Sequence, residues 1–450
     1  MSIYDSFKRF PDVHPNIVLK TDLLRQGMTI GNAAVEQFQK MEDVLWKGFH
    51  LFSYDSKKTV VYGDKVPALF HLDDGTPIQV RTNPDSPYSL DLTDDGFVVA
   101  ENQEVLAKGI YFERKPRWYD MKTSTGVQMP AIVQGFCRLL FVTINKYCEL
   151  WNAGEQCLFC NINATLADQR AGGEDTVARL DPEVIAEVVK TALTVDHHYY
   201  FLYISGGTIL GKYRGQTELD FLCTRLDALR EKLQVWIPAT VQIAAQEDEG
   251  WRRVHETGVG SIQPNIEVWD KRLFQWICPG KDKHVGYDEW IKRTVRAVDF
   301  WGPGRVNPNF VLGVEMAKPH GFQDVASAVK STASGWDYLM SHGVVPRFNL
   351  WIIEAGSRFY EQEQQLIPLE YFIEAQKAYT ELRWKHGFEP PFPAAADRYS
   401  YLHNCLQDFE YYHGSGPTSK KALDANMRLS EKDVSYFDQE GYTYVKPTGR

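Results

Sequence analysis

Three cysteines fall within thirteen residues, Cys148, Cys157 and Cys160, in a run that closes on Cys157-Leu158-Phe159-Cys160. They follow an apolar stretch, Arg138 to Asn145, that reads as a β-strand. Thiolates are strong, soft ligands, so three of them on one loop at a strand's C-terminal end can hold a metal centre with one coordination position open. An open position permits chemistry, whereas a site closed by four protein ligands only holds structure.

A structural zinc site needs a fourth nitrogen or sulfur ligand close by. No histidine lies between Cys148 and His197, and Cys137 stands at the far end of the preceding strand. Cysteines merely packed in a core fit poorly with a loop this rich in polar residues. An iron–sulfur cluster with one iron not ligated by protein fits the trio best. Two non-enzymatic readings stay open: a zinc-stabilised barrel that binds a ligand, and a carrier that stores or delivers a cluster. Among the other cysteines, Cys223 on an apolar helix face and Cys137 before a strand read as packing. Cys278, in Ile277-Cys278-Pro279-Gly280-Lys281, reads as a thiol on a loop facing the open end of the fold. It is either inert or a hydrogen donor, a substrate ligand or an auxiliary-cluster ligand.

The elements that must position these residues are legible from periodicity. Up to about residue 130 short β-like runs recur: Thr59 to Tyr62, Ala68 to His71, Ile78 to Val80, Gly96 to Ala100 and Gly109 to Glu113. Turn signals such as Asp94-Asp95-Gly96 separate them, which predicts a small β-rich accessory domain behind a short helical start, over residues 1–130. From Arg138 strands and helices alternate. The strands are Arg138 to Asn145, Tyr199 to Ser205, Ala239 to Ala244, Ser261 to Val268, Asn309 to Val314 and Val345 to Ile353. Helices intervene, one of them opened by Asp181-Pro182-Glu183, others spanning Tyr287 to Phe300 and Asp324 to His342. Six βα units predict an α/β fold with a partial or complete (β/α)6-type parallel barrel over residues 131–375. Functional residues of such a fold lie at the C-terminal strand ends. Beyond Gln376 the chain reads as aromatic and irregular, ending in a polar tail. Residues 376–450, with Tyr399, Tyr401, Phe409, Tyr411 and Tyr412, are expected to close the barrel.

Composition narrows the function classes. The 450 residues carry a formal net charge of -10 and no long basic run, which argues against a nucleic-acid partner. The first residues lack the apolar core of a secretory signal, and no stretch approaches the ~20 apolar residues of a membrane span. Seven cysteines in a chain of this size do not make a disulfide scaffold, so a reducing cytoplasm is the expected location.

The cysteine loop resembles that of the radical S-adenosylmethionine (SAM) superfamily, with an aromatic, Phe159, just before the last cysteine. The gap of eight residues between Cys148 and Cys157 is longer than is usual there. Three further segments carry the resemblance, which covers about Arg138 to Arg358 and is nearest to the biotin synthase and lipoyl synthase-like members. Tyr203-Ile204-Ser205-Gly206-Gly207-Thr208 matches the glycine pair after the second strand, with Thr208 where a glutamate often stands. Asn265-Ile266-Glu267 resembles an Asn-x-Glu strand. Leu312-Gly313-Val314-Glu315 and the last strand, Pro346 to Trp351, resemble the corresponding turn and strand of that group.

What the resemblance implies is specific. Cys148, Cys157 and Cys160 would ligate a [4Fe–4S] cluster whose free iron chelates SAM. Phe159, Ser205, Gly206, Gly207, Thr208, Gln242, Asn265, Glu267 and Asn309 would line the cofactor site. A low-potential electron donor such as flavodoxin or ferredoxin is the implied partner, and a homodimer is possible. Arg347, Asn349 and Trp351 share one strand face, so Arg347 and Asn349, with Cys278, are the candidates for acting on a small-molecule substrate. A guanidinium there could clamp a carboxylate or phosphate. The expected reaction is reductive cleavage of SAM and radical modification of that substrate. Transfer of a 3-amino-3-carboxypropyl group and sulfur insertion are the alternatives within the class.

Overall fold

The computed structural model describes residues 2–46, 65–73, 76–136, 139–173, 176, 180–196, 199, 201–233 and 237–388. Three helices open the chain, Ile3–Arg9, Pro15–Gln26 and Asn32–Lys40. Strand β1, Thr29–Ile30, lies between the second and third. Then come β2 (Leu69–His71), β3 (Pro77–Gln79), β4 (Tyr88–Thr93), β5 (Gly96–Glu101), β6 (Glu104–Ala107) and β7 (Tyr111–Phe112). They form a sheet in the order β1-β4-β5-β6 and a smaller antiparallel one, β3-β2-β7. The expected run Thr59 to Tyr62 lies outside the described residues. Sequence reading missed β4 and β6. Both mix polar residues into the strand, and only pairing with β5, across the Asp94-Asp95 turn for β4 and the Asn102-Gln103 turn for β6, makes them extended.

The α/β part begins with a hairpin, β8 (Val133–Phe136) antiparallel to β9 (Leu139–Asn145). The other strands are β10 (Phe201–Gly206), β11 (Ile237–Gln242), β12 (Val259–Gln263), β13 (Asn309–Leu312) and β14 (Arg347–Leu350). They make one sheet ordered β12-β11-β10-β9-β8 and a parallel pair, β13-β14. Two isolated parallel bridges, Ile262 to Val306 and Glu267 to Phe310, tie the two sheets together. The closed form of the expected barrel is not formed among the described residues. Strand β8 occupies the hydrogen-bonding edge of β9 that closure onto β14 would need.

Local chemistry explains most boundaries. The Asp181 carboxylate accepts from Glu183 N ahead of helix Pro182–Val195, and Asp324 caps Val325–Ser341 by accepting from Ser327 N. Strand β12 stops at Gln263 because Pro264 has no N–H to give the ladder. Gly313, at φ 110°, ends β13 two residues earlier than expected. The stretch Tyr287 to Phe300 is two helices, Tyr287–Arg296 and Val298–Trp301. Helices that went unread include Ile162–Ala171, Lys271–Ile277, Pro279–His284 and Leu369–Lys385. Residues 377–385, where irregular chain was expected, belong to the helix Leu369–Lys385, whose buried residues pack on Val325–Ser341 and Pro15–Gln26. The aromatic residues expected to close the barrel, Tyr399 to Tyr412, and the polar tail lie outside the described residues.

Candidate functional site

A cavity of about 380 Å³ lies at the C-terminal ends of the parallel strands. Cys148, Cys157 and Cys160 all line it. Their loop is stapled from several sides. Asn145, the last residue of β9, donates through Nδ2 to Tyr147 O (2.7 Å) and Gly207 O (3.2 Å) and accepts at Oδ1 from Tyr147 N (3.0 Å). Asn163 closes a reciprocal pair with Cys148, accepting from its N (2.7 Å) and donating to its O (3.1 Å). On the other flank, Leu158 N donates to Ile277 O (2.9 Å) and Gly280 N to Glu155 O (3.1 Å). Glu155 also pairs with Lys283 and, at 2.9 Å, with His284. The loop is therefore clamped between β9–β10 and the corner of helices Lys271–Ile277 and Pro279–His284.

The two glycines after β10 differ in role. A Cβ on Gly207 would stand 2.6 Å from Tyr147 O and 2.7 Å from Cys148 N, whereas one on Gly206 meets nothing nearer than 3.4 Å. Gly207 is required by the close approach of the cysteine loop itself.

Every residue expected at the cofactor site lines the same cavity: Phe159, Ser205, Gly206, Gly207, Thr208, Gln242, Asn265, Glu267 and Asn309. Arg347, Asn349 and Trp351 also face it. Ser205 Oγ donates to Gln242 Oε1 (2.6 Å), Gln242 Nε2 to Tyr203 Oη (2.6 Å), and Tyr203 Oη to Gln263 Oε1 (2.7 Å). Among the described residues, Gln263 Nε2 is buried without a partner. Across the cavity Asn309 Nδ2 donates to Asn349 Oδ1 (2.5 Å), while Asn309 N donates to Asn265 Oδ1 (3.0 Å).

Two placements correct the sequence reading. Cys278 is not on an open loop. It caps the junction of two helices, is fully buried, and is absent from the cavity wall, beside Cys157. Burial pushes its thiol well above the ordinary range. A role in which Cys278 touches substrate has no support from this position. Glu267, at φ 71°, is not free either: its Oε1 accepts from Lys281 Nζ at 2.8 Å, and the same ammonium donates to Asn265 O at 2.8 Å.

Lys281 is the main residue that sequence reasoning missed. It lines the cavity and stands 4.9 Å above the Trp290 ring. Burial works against its charge, but Glu267, Cys157 and Cys278 outweigh this and hold the ammonium above its ordinary value. The Cys157 thiol is held below the ordinary range, first by the Cys278 thiol beside it and then by Lys281, against its burial. Cys148 and Cys160 are pushed up, chiefly by burial. Glu218, at the start of helix Glu218–Leu233, is a second missed cavity residue. Its position two residues after a loop of Tyr, Arg, Gly and Gln gave no periodic signal.

Among the described residues no three His, Cys, Asp or Glu side chains converge tightly enough to hold one metal ion. A single-ion zinc site requires such convergence, whereas the thiolates on a [4Fe–4S] cube each bind a different iron and stand apart.

No family model matches the chain. It is similar to the bacteriochlorophyllide c C-7(1)-hydroxylase of Chlorobaculum limnaeum, at 24% identity over 296 residues, covering 62% of this chain and 68% of that one. Similar solved structures include methylornithine synthase (PylB), at 15% identity and a TM-score of 0.40, over 71% of this chain and 94% of that chain. HydG, a maturase of the [FeFe]-hydrogenase, matches at 16% identity and a TM-score of 0.38, over 56% and 50%. Streptococcus suis SuiB matches at 16% identity and a TM-score of 0.30, over 48% and 49%. By its similarity to the hydroxylase this chain is an enzyme, its reaction type open. No described helix is long and apolar enough to cross a membrane.

Proposed function

We propose that this chain is a radical SAM enzyme that modifies a small-molecule substrate. The observation that carries the reading is the single cavity shared by the cysteine trio and the polar strand ends from Ser205 to Asn349. A [4Fe–4S] cluster held by Cys148, Cys157 and Cys160 would supply the low-potential electron that cleaves SAM homolytically. The three thiols fit such a group in number, in kind and in facing one cavity. Lys281 favours the anionic sulfur of Cys157, the form a metal requires.

The remaining wall residues bind and orient. Phe159 offers a flat apolar face beside the cysteines for a nucleobase. Ser205, Gln242, Tyr203 and Gln263 form a fixed polar shelf whose mutual hydrogen bonds hold each side chain in place. Arg347 offers a cation to an anionic group of the substrate, and Asn349, oriented by Asn309, an amide. Phe141, stacked on Tyr203 at 4.9 Å, with Phe348 and Trp351, makes the wall largely apolar and limits water near a reactive carbon. The hydroxylase similarity favours functionalisation of a C–H bond over sulfur insertion.

The test is anaerobic purification followed by iron and sulfide analysis, then incubation of the reduced protein with SAM. Iron and sulfide in equal amounts and release of 5′-deoxyadenosine are expected. A colourless protein with one zinc per chain sinks the proposal. Release of methylthioadenosine in place of 5′-deoxyadenosine moves the reaction to 3-amino-3-carboxypropyl transfer.

A further inference from the structure

One residue of the cavity wall comes from outside the α/β strands and their connections. Among the described lining residues, Gln79, the last residue of β3, is alone in coming from ahead of β8. Strand alternation sets its direction. Ile78 and Val80 on either side are fully buried in the apolar core, and Gln79 takes the opposite face. Its backbone is anchored: Gln79 is registered against Leu69 of β2, Val80 N donates to Ala68 O (3.1 Å), and Met28 N donates to Arg81 O (2.7 Å). Helix Pro15–Gln26, just ahead of Met28, packs on Leu369–Lys385, and Arg25 Nη1 donates to Ile367 O at 3.2 Å. The small sheet is thereby braced against the part of the chain that carries the site.

Gln79 is only 6% exposed, and among the described residues its Oε1 has no donor. Gln263, on the same cavity, has the converse deficiency. Its Oε1 accepts from Tyr203 Oη at 2.7 Å, which sets the orientation of the amide, and among the described residues its Nε2 has no acceptor. An amide withdrawn from water without a partner costs stability. Protein interiors keep few such groups, and a site awaiting a ligand is a common reason for those they keep. One amide here lacks a donor and the other an acceptor. Neither is charged, so neither offers a counter-charge to an ionised group. An uncharged carboxamide or lactam supplies both an N–H and a C=O.

We propose that Gln79 is a substrate-binding residue, supplied by the N-terminal sheet, which accepts from the N–H of an uncharged carboxamide-type group, while Gln263 Nε2 donates to a carbonyl of the same molecule. The assignment rests on the reading of this cavity as the substrate site and makes Gln79 a determinant of specificity there.

The test uses Gln79→Met, which keeps the length of the side chain and removes its polar atoms. Thermal unfolding of cluster-reconstituted protein without added ligand comes first: loss of an unpaired buried amide should raise the midpoint by about 1–3 °C. Fluorine NMR then compares 4-fluorobenzamide, which carries the carboxamide, with 4-fluorotoluene, which does not. The variant should bind 4-fluorobenzamide roughly 3- to 10-fold more weakly than wild type, and 4-fluorotoluene no more weakly. An unchanged or lower midpoint shows the amide to be satisfied within the folded protein, by a fixed water for example, and overturns the assignment. Equal binding of 4-fluorobenzamide by both proteins, or by neither, also overturns it. A loss shared by both probes makes the role one of shape and overturns it too. None of these results touches the radical SAM reading, which stands on iron, sulfide and 5′-deoxyadenosine. Wild-type protein without iron sinks that reading, and the comparison of the two proteins still decides on Gln79.

Discussion

The glycine pair after β10 gives the sharpest test of the site's construction, because the structure assigns its two members different work. In Gly207→Ala the added Cβ would lie 2.6 Å from Tyr147 O and 2.7 Å from Cys148 N. Ordinary contact begins at 3.4 Å, so the shortfall is 0.8 Å against backbone that cannot rotate aside. The loop must move, and its staples through Asn145 and Asn163 resist. Overpacking of this kind costs about 1–3 kcal/mol. A displacement approaching 1 Å at a reacting centre costs on the order of 100-fold in rate. Gly206→Ala is the matched control: its nearest contact is 3.4 Å, so both effects should be within error of wild type. The assay is iron per chain after anaerobic reconstitution, with thermal unfolding of the same samples. Gly207→Ala should melt a few degrees lower and bind iron substoichiometrically, while Gly206→Ala does neither. If both variants keep full iron and the same midpoint, the steric reasoning is wrong. If both lose iron alike, the pair acts through backbone freedom and not through the approach of Cys148.

Other outcomes follow from the same geometry. Lys281→Met leaves Glu267 buried without its cation and should lower stability by about 3–5 kcal/mol in urea unfolding; adding Glu267→Gln should recover most of it. Glu315 is fully buried, accepts from Gly313 N at 2.8 Å, and is pushed up to about 7, chiefly by burial. Its folded value exceeds its unfolded one, so the native state holds the proton longer. Stability from this group is complete below the unfolded value of 4.5 and is lost as pH rises to about 7, a span of roughly 3 kcal/mol. Glu315→Gln should flatten the wild-type slope in that window, measured as the pH dependence of the urea midpoint. Cys157→Ala should remove both iron and SAM cleavage, whereas Cys278→Ala should keep iron binding; loss of iron in Cys278→Ala would make it a ligand.

The sequence alone determined the parts that depend on local order along the chain. Cys148, Cys157 and Cys160 sit on one loop after one apolar strand, and the alternation of strands and helices sets a parallel α/β architecture whose strand ends carry function. Arg347, Asn349 and Trp351 share a face because strand periodicity requires it, and the cavity lies on that face. What only the tertiary structure decided is pairing across long separations. That Gly207 and not Gly206 meets the cysteine loop depends on the angle between two loops about sixty residues apart. That Lys281 neutralises Glu267 depends on how two unread helices dock. That β8 seals the edge of β9 depends on the antiparallel pairing of Val133–Phe136 with Leu139–Val142, which no periodicity announces. Charge balance and strand closure are properties of packed neighbours, and neighbours in space leave no period in the chain.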